Sequence, residues 1–405
     1  MFIYNLFLSI IYFISLPVLI FKFKGNERKE RFGRIKLDYT GVIWIHAASV
    51  GEVNAVKPLI IELLTKFPSR HFVLSTMTST GQQAAENISP KLSVFYFPLD
   101  FLLPMIRIFN WLEPEMIILV ETELWPNLLL QAKKRNIPVV IVNGRISDRS
   151  FPSYRRFLFF WKPLWKSVIA VNAQSSRDAD RFRILKFRNV KDTQNLKFCL
   201  KLPEYDSDKI RAEMGYLKED FIIVWGSSRP GEEKLFKQVI CQLKTQMPDL
   251  RAVLVPRHLS RLAEIKQIFS DVKYSVYSES NKPDWLVIVD EMNILPMFYA
   301  ISDIAIIGGS FYNFGGHNPL EAAFYATPII MGKYYHSCRD SVEKLIEEKA
   351  VKISNPQDLS HDILNLYENK DETKKMGINA KLTLTKNSDS LKKNLEILER
   401  IFNYD

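Results

Sequence analysis

The chain has 405 residues, 47% of them hydrophobic and 25% charged, with a formal net charge of +10. That length suits two domains of roughly 150 residues or more with separate cores, and the apolar content excludes a disordered chain. Its three cysteines, Cys199, Cys241 and Cys338, stand far apart without a CxxC pair, which excludes a disulfide scaffold or a zinc ribbon, and the positive balance points to anionic partners.

The first predicted element is the apolar run Phe2–Phe21, interrupted only by Asn5, Ser9, Ser15 and Pro17. It matches the roughly 20 residues that cross a bilayer. Lys22, Lys24, Arg28, Lys29, Arg31, Arg34 and Lys36 follow at once, a cluster that the positive-inside rule holds on the cytoplasmic side. A cleaved signal carries its basic residues before the apolar run, so the segment reads as a retained membrane anchor, with the body facing the cytoplasm. Its length favours a span over an in-plane or a buried core helix.

Short β-rich runs then alternate with amphipathic stretches. Val42–His46, His71–Thr76, Met116–Val120, Pro138–Val142 and Ser167–Asn172 read as strands, and Val53–Lys66 as a helix. After the polar connector Lys201–Asp208 the pattern restarts with Phe221–Trp225, Arg251–Val255, Leu286–Val289, Ile304–Ile307 and Val351–Ile353. The fold class is α/β: two doubly wound, Rossmann-like domains facing a cleft. The boundaries fall at 1–22 for the anchor, 23–200 and 209–385 for the domains, 201–208 for the linker, and 386–405 for a helix packing back on the first domain.

Three segments carry chemistry. In His46-Ala47-Ala48-Ser49-Val50-Gly51-Glu52 a strand runs into a helix start, where the helix dipole favours a carboxylate and Gly51 admits close approach. A carboxylate that only stabilises the first turn is the plain alternative. In Glu121-Thr122-Glu123-Leu124-Trp125-Pro126-Asn127, Glu121 and Glu123 follow a strand end; extended backbone there would point both carboxylates to one side. In Gly308-Gly309-Ser310 and Gly315-Gly316-His317-Asn318-Pro319-Leu320-Glu321, glycines would bare backbone amides to a phosphate, with Pro319 opening a helix that Asn318 caps. Glu321 suits the two hydroxyls of a ribose.

Lesser signals accompany these. Arg257 and His258 follow the strand Arg251–Val255 and suit a phosphate or carboxylate. Gly226-Ser227-Ser228-Arg229-Pro230-Gly231 has P-loop spacing, but Glu232 and Glu233 replace the required Lys and Ser/Thr; Ser227 keeps a phosphate-binding turn possible. Neither Asp178-Ala179-Asp180 nor Asp206-Ser207-Asp208 makes a convincing metal site, and no HExxH, G-x-S-x-G or aromatic RNA-binding motif occurs.

Taken in order, Glu30-Arg31-Phe32-Gly33, Ala48–Glu52, Ser75-Thr76-Met77-Thr78-Ser79-Thr80-Gly81, Glu121–Asn127, Asn195-Leu196-Lys197-Phe198, Gly231-Glu232-Glu233, Pro256-Arg257-His258 and Gly315–Glu321 resemble the 3-deoxy-D-manno-octulosonic acid (Kdo) transferases. The resemblance implies a GT-B, inverting, metal-independent glycosyltransferase with no cofactor. It further implies transfer of Kdo from CMP-Kdo to the lipid A precursor, a tetra-acyl disaccharide bisphosphate, in lipopolysaccharide assembly, without nucleic acid as partner. Glu52 is then the catalytic base, with Ser49, Gly51, Thr78, Glu121 and Glu123 positioning acceptor or transition state. Lys197, Ser227, Arg257, His258, Asn293, Gly309, Ser310, Gly316, His317, Asn318 and Glu321 bind the donor. The chain departs from the family pattern at Gln194 and Asn293, where glycine is usual, and at Cys199, where aspartate is. A UDP-sugar lipid transferase and a silent glycolipid- or nucleotide-binding scaffold are the competing readings.

Overall fold

The computed structural model describes residues 2–35, 37–280 and 283–402, so Lys36 of the basic cluster and the last three positions of the expected C-terminal helix lie outside the described residues. The chain forms two compact units, Met1–Cys199 with Ser388–Asp405, and Leu200–Asn387.

The first unit is built on a parallel sheet of seven strands: β1 Val42–His46, β2 His71–Thr76, β3 Ser93–Tyr96, β4 Met116–Val120, β5 Val139–Gly144, β6 Val168–Ala173 and β7 Val190–Asp192. Their order is β3-β2-β1-β4-β5-β6-β7. Because helices cover both faces, the central strands read as unbroken apolar runs. Val42 and Trp44 of β1 enter one core cluster, while Ile43 and Ile45 enter the other. The chain winds outward in both directions from β1 and β4, and that reversal leaves a crevice at their carboxyl ends.

The second unit repeats the plan with β8 Phe221–Ser228, β9 Leu250–Pro256, β10 Ser275–Val276, β11 Leu286–Ile288, β12 Ile304–Ile307, β13 Ile329–Met331 and β14 Val351–Ile353, ordered β10-β11-β9-β8-β12-β13-β14. Its reversal lies between β8 and β12. The expected α/β class with two parallel sheets is what the chain adopts. Strands β3, β7, β10 and β13 extend the predicted set; three are sheet edges, and all have four residues or fewer, too short for a clear alternation.

The helix Phe2–Lys22 contains a 19-residue segment, Tyr4–Lys22, long and apolar enough to cross a membrane, with mean hydropathy 2.0. One member of the basic cluster behind it has another role. Arg31 is buried, donating to the carbonyls of Phe97 and Met77 and to the Glu27 carboxylate, while Glu30 accepts from the Tyr96 amide. Gly33, at φ +76, packs where an added Cβ would stand 2.3 Å from the Pro104 carbonyl oxygen. This short motif therefore fastens the segment after the apolar helix onto the sheet.

The helix Ser390–Phe402 rejoins the first unit. Leu398 is fully buried in the core cluster behind β1 and β4, and Asn172 of β6 donates to Asn394 at 2.9 Å. Truncating Leu398 leaves a cavity in that core, so Leu398→Ala should destabilise the first unit by about 2–5 kcal/mol. A urea titration followed by Trp44 and Trp165 fluorescence would show the lowered midpoint.

Candidate functional site

Strand β1 ends in His46, and the chain turns through Ala47–Ser49 into the helix Val50–Lys66. Ser49 is its N-cap: the Ser49 hydroxyl oxygen accepts from the Glu52 amide at 3.4 Å and donates to Glu52 Oε1 at 2.9 Å. Glu52 Oε2 accepts from the Ala48 amide at 2.8 Å. Glu52 thus serves the helix start as the plain reading held, but its charge is poorly accommodated. Burial, then the Glu121 carboxylate, and to a lesser degree that of Glu123, push its pKa up to about 7 against the opposing bonds from Ala48 and Ser49.

Glu121 and Glu123 do converge on Glu52 electrostatically, though not through extended backbone. Glu121 sits at φ +58, in the left-handed region, so the i, i+2 argument fails at that turn. Lys197 lies in the first unit and pairs with Glu121 at 3.3 Å. Glu123 approaches Nε2 of His46 at 3.8 Å, and the fully buried His46 ring stacks on Phe97 with Nδ1 2.9 Å from the Ser75 hydroxyl. Thr78 caps the helix Ser79–Glu86 by accepting from the Gly81 amide at 3.0 Å, and the neighbouring Met77 amide donates to Ala48, which brings this turn beside Ser49. Gly51, within the first helical turn, has no contact that an added methyl would violate.

Nearby, Asp100 accepts from the amides of Asn127 and Leu128 and so caps the helix Pro126–Lys134. Burial pushes its carboxyl up to about 7. This fixes the turn that carries Glu121 and Glu123.

In the second unit the glycine turns correct an expectation. Their amides are largely taken within the unit: Gly308 donates to Gly226, Gly316 to Gly309 and His317 to Gly308. Gly309 donates to Glu232 Oε2 at 2.8 Å, and Phe311 to Oε1 at 3.1 Å. The Ser310 hydroxyl is buried, donating to Ile307 and accepting from Gly332. The buried carboxylate of Glu232 takes amides that the sequence left for a phosphate, so Gly309, Ser310 and Gly316 shape the turn rather than offer bare donors there. Glycine is needed for close approach: a Cβ on Gly308 would stand 2.3 Å from the Ser227 carbonyl oxygen. The short helix begins at Leu320, one residue later than expected, with Pro319 as its N-cap, while Asn318 Oδ1 accepts from the Leu320 amide.

What remains open to an anion is a basic cluster. Arg229 donates from Nε to His317 Nε2 at 3.2 Å, its Nη1 lies 2.8 Å from His258 Nε2, and its guanidinium stands over Phe314. Arg257 acts electrostatically on Arg229, His317 and Glu321. Desolvation, then Arg257 and Arg229, lower the His317 pKa to about 4, and desolvation followed by the same arginines also lowers that of His258. Both imidazoles are therefore neutral at pH 7 and accept from the one guanidinium. Burial raises the Glu321 carboxyl, with Arg257 opposing. Ser227, half-buried at φ +57, and Asn293, exposed at φ +66, flank this unit's strand ends. Arg229 carries no donor-binding expectation from the sequence because the failed P-loop pattern around it drew attention to Glu232 instead. No group of three or more His, Cys, Asp or Glu side chains placed to hold a metal occurs among the described residues; Asp206 caps a helix, and Asp178, in the first turn of a helix that Ser175 caps, accepts from the Ile146 amide.

The model of one protein family, described as 3-deoxy-D-manno-octulosonic-acid transferase (kdotransferase), matches residues 26–200. The 3-deoxy-D-manno-octulosonic acid transferase of Haemophilus influenzae is 31% identical over 92% of this chain and 90% of its own. A bifunctional glycosyltransferase/methyltransferase of Fusobacterium nucleatum is 36% identical over 76% of this chain, which spans 49% of that relative's length. A solved glycosyltransferase from Rickettsia africae shares the fold with TM-score 0.60 at 16% identity, over 90% of this chain and 100% of that one. The chain belongs to the 3-deoxy-D-manno-octulosonic acid transferase family and is a glycosyltransferase.

The burial of Glu52 and its crowding by Glu121 have a measurable consequence. Between pH 4.5 and 7 the folded state holds a proton on Glu52 that the unfolded chain has released, so the stability tied to this residue falls as pH rises through that window. Glu52→Gln, which cannot ionise, should therefore be more stable than the parent above pH 7 by about 1–3 kcal/mol, and Glu121→Gln should move the Glu52 midpoint downward in a carboxyl NMR titration.

Proposed function

We propose that this chain transfers Kdo from CMP-Kdo to a hydroxyl of an acylated glucosamine disaccharide bisphosphate, the lipid A precursor, with Glu52 as general base. The observation that carries this reading is the Glu52 carboxyl, poised near pH 7 at the switch point of the first sheet in a Kdo transferase family member. In the reaction the acceptor oxygen forms its bond to the anomeric carbon while that carbon's bond to the CMP phosphate oxygen breaks, inverting the centre. The electron pair leaves with CMP, and the acceptor proton passes to Glu52. Glu121 and Glu123 raise the proton affinity of Glu52, and Lys197 offsets part of the local negative charge.

The donor carries a phosphodiester and a sugar carboxylate, two negative charges. Arg229 and Arg257 supply two positive charges beside two neutral imidazoles, which matches that ligand without a divalent ion. Each ring that accepts at Nε2 keeps its proton on Nδ1, as a further donor for phosphate or carboxylate oxygens. Glu321 would accept from the ribose hydroxyls, with Ser227, Asn293 and Asn318 bordering the nucleotide. The apolar helix and the basic residues behind it support attachment to the cytoplasmic face of an inner membrane, where an acidic glycolipid acceptor resides.

Glu52→Gln should lower kcat at least a thousandfold while leaving CMP binding unchanged, and the parent's kcat/KM should rise tenfold per pH unit below about pH 7. A fully active Gln variant would refute the assigned base. CMP should raise the melting temperature more than UDP does, and Arg229→Ala should weaken CMP-Kdo binding about tenfold or more with a smaller change in kcat. Stronger protection by UDP would replace the donor assignment with a UDP-sugar.

A further inference from the structure

We propose that the helix Phe2–Lys22 lies in the plane of an anionic bilayer surface rather than crossing it, and that Leu103 and the Phe157–Phe159 turn insert beside it, making the first unit a monotopic membrane body. The inference rests on the membrane attachment just described and is independent of the transfer chemistry.

The helix rests on its own unit at its start and at its middle. Near its start the Tyr4 ring packs edge-on to Phe160 with centroids 5.3 Å apart. At its middle Tyr12, 6% exposed, lies 4.8 Å from Phe101 and 6.3 Å from Phe32. Just past its end the Arg31 guanidinium covers Phe23. Leu8, Ser9, Ser15, Leu16 and Leu19 are half-buried on the same stripe. The opposite stripe is bare: Phe7, Phe13, Ile14, Val18 and Phe21 are each at least 60% exposed.

From Tyr4 to Phe23 the axis runs about 28 Å, close to the whole hydrocarbon thickness of a bilayer. A helix standing across the membrane with this docking intact would drag the flanking surface of the first unit into lipid. That surface includes Arg34 and Arg107, both within electrostatic reach of Tyr12. Charged side chains are costly at that depth, whereas an in-plane helix leaves them at headgroup level.

The apolar surface does not stop at the helix. Tyr4 joins it to the segment bearing Phe157 (45% exposed) and Phe159 (78%), and Tyr12 joins it through Phe101 to Leu103 (45%). Exposed Lys22, Lys24, Arg34, Arg155, Arg156 and Lys162 stand in the same segments, a charge pattern that suits phosphate headgroups and selects a lipid surface as occupant over a second protein. The seating also serves the proposed site. Phe101, which holds Tyr12, follows Asp100, whose carboxylate caps the helix directly after the Glu121–Trp125 turn.

Spin labels at Phe7, Ile14 and Phe21 of the full chain, with exposed Cys241 replaced by serine, test this on vesicles containing about one third phosphatidylglycerol in phosphatidylcholine. An in-plane helix puts all three labels at the same shallow depth; a spanning helix puts Ile14 about 10 Å deeper than the other two and overturns the proposal. Phe159→Asp should cut vesicle binding about tenfold while transfer to detergent-dispersed acceptor stays at the parent rate. Unchanged binding by this variant would remove the Phe157–Phe159 turn from the membrane surface. Loss of transfer in the parent itself would count against the reaction assigned above and leave the label depths standing.

Discussion

Burial of one carboxylate beside two others at the carboxyl edge of a parallel sheet is the constraint on which the proposed site in the first unit depends. Glu52 enters on the first turn of the helix after β1, and Glu121 and Glu123 enter on the turn after β4, the neighbouring strand at the switch point. Two hydrogen bonds hold the Glu52 carboxyl in place, yet its ionised form stays disfavoured because burial and the Glu121 charge outweigh them. The base role proposed for Glu52 needs that imbalance, since a carboxyl at its ordinary pKa would hold an abstracted proton only weakly. The fold keeps a group of this kind in place through contacts elsewhere: the Lys197 pair, the Asp100 cap, and the core on both faces of the sheet.

The central strands were legible because they are buried on both faces, as in β1, where all five residues are buried. The positions of Glu52, Glu121 and Arg257 at strand ends followed from the same alternation. What was not legible came from backbone conformation and from partner choice. Nothing in Glu121-Thr122-Glu123 announces a left-handed φ at the first glutamate, and nothing in Gly231-Glu232-Glu233 announces that Glu232 will take the amides of Gly309 and Phe311 from a strand end 77 residues away. Arg31 shows the same limit. Within a run of basic residues it looked like the others, and only its partners, the carbonyls of Phe97 and Met77, set it apart as a buried tie.

The departures from the family pattern have a backbone logic. Gln194 and Asn293 stand where glycine is usual, and both have positive φ, +66 in each case. The conformation that glycine suits is thus retained by residues with side chains: asparagine tolerates it comparatively well, and glutamine at a cost of about 1–2 kcal/mol. The Gln194 side chain accepts from Lys393 of the helix Ser390–Phe402, an interaction glycine lacks. Cys199, in place of aspartate, is buried in the first unit, with Sγ 2.9 Å from the Ser390 hydroxyl and 3.2 Å from the Ser388 carbonyl oxygen. Its effect therefore falls on the seating of the returning helix rather than on the basic cluster of the second unit.

Charge also distinguishes the two units, in the sense that the proposed reaction requires. The first unit gathers Glu52, Glu121 and Glu123 against one lysine, a poor environment for a ligand with two negative charges and a suitable one for a hydroxyl losing its proton. The second gathers Arg229 and Arg257, and by holding His258 and His317 below their usual pKa it avoids four mutually repelling cations. Neutral rings can share one guanidinium and still offer their remaining N–H to an anion, which protonated rings could not do without losing Arg229 as a donor partner. In the proposed reaction this arrangement would give a leaving nucleotide hydrogen bonds as well as charge.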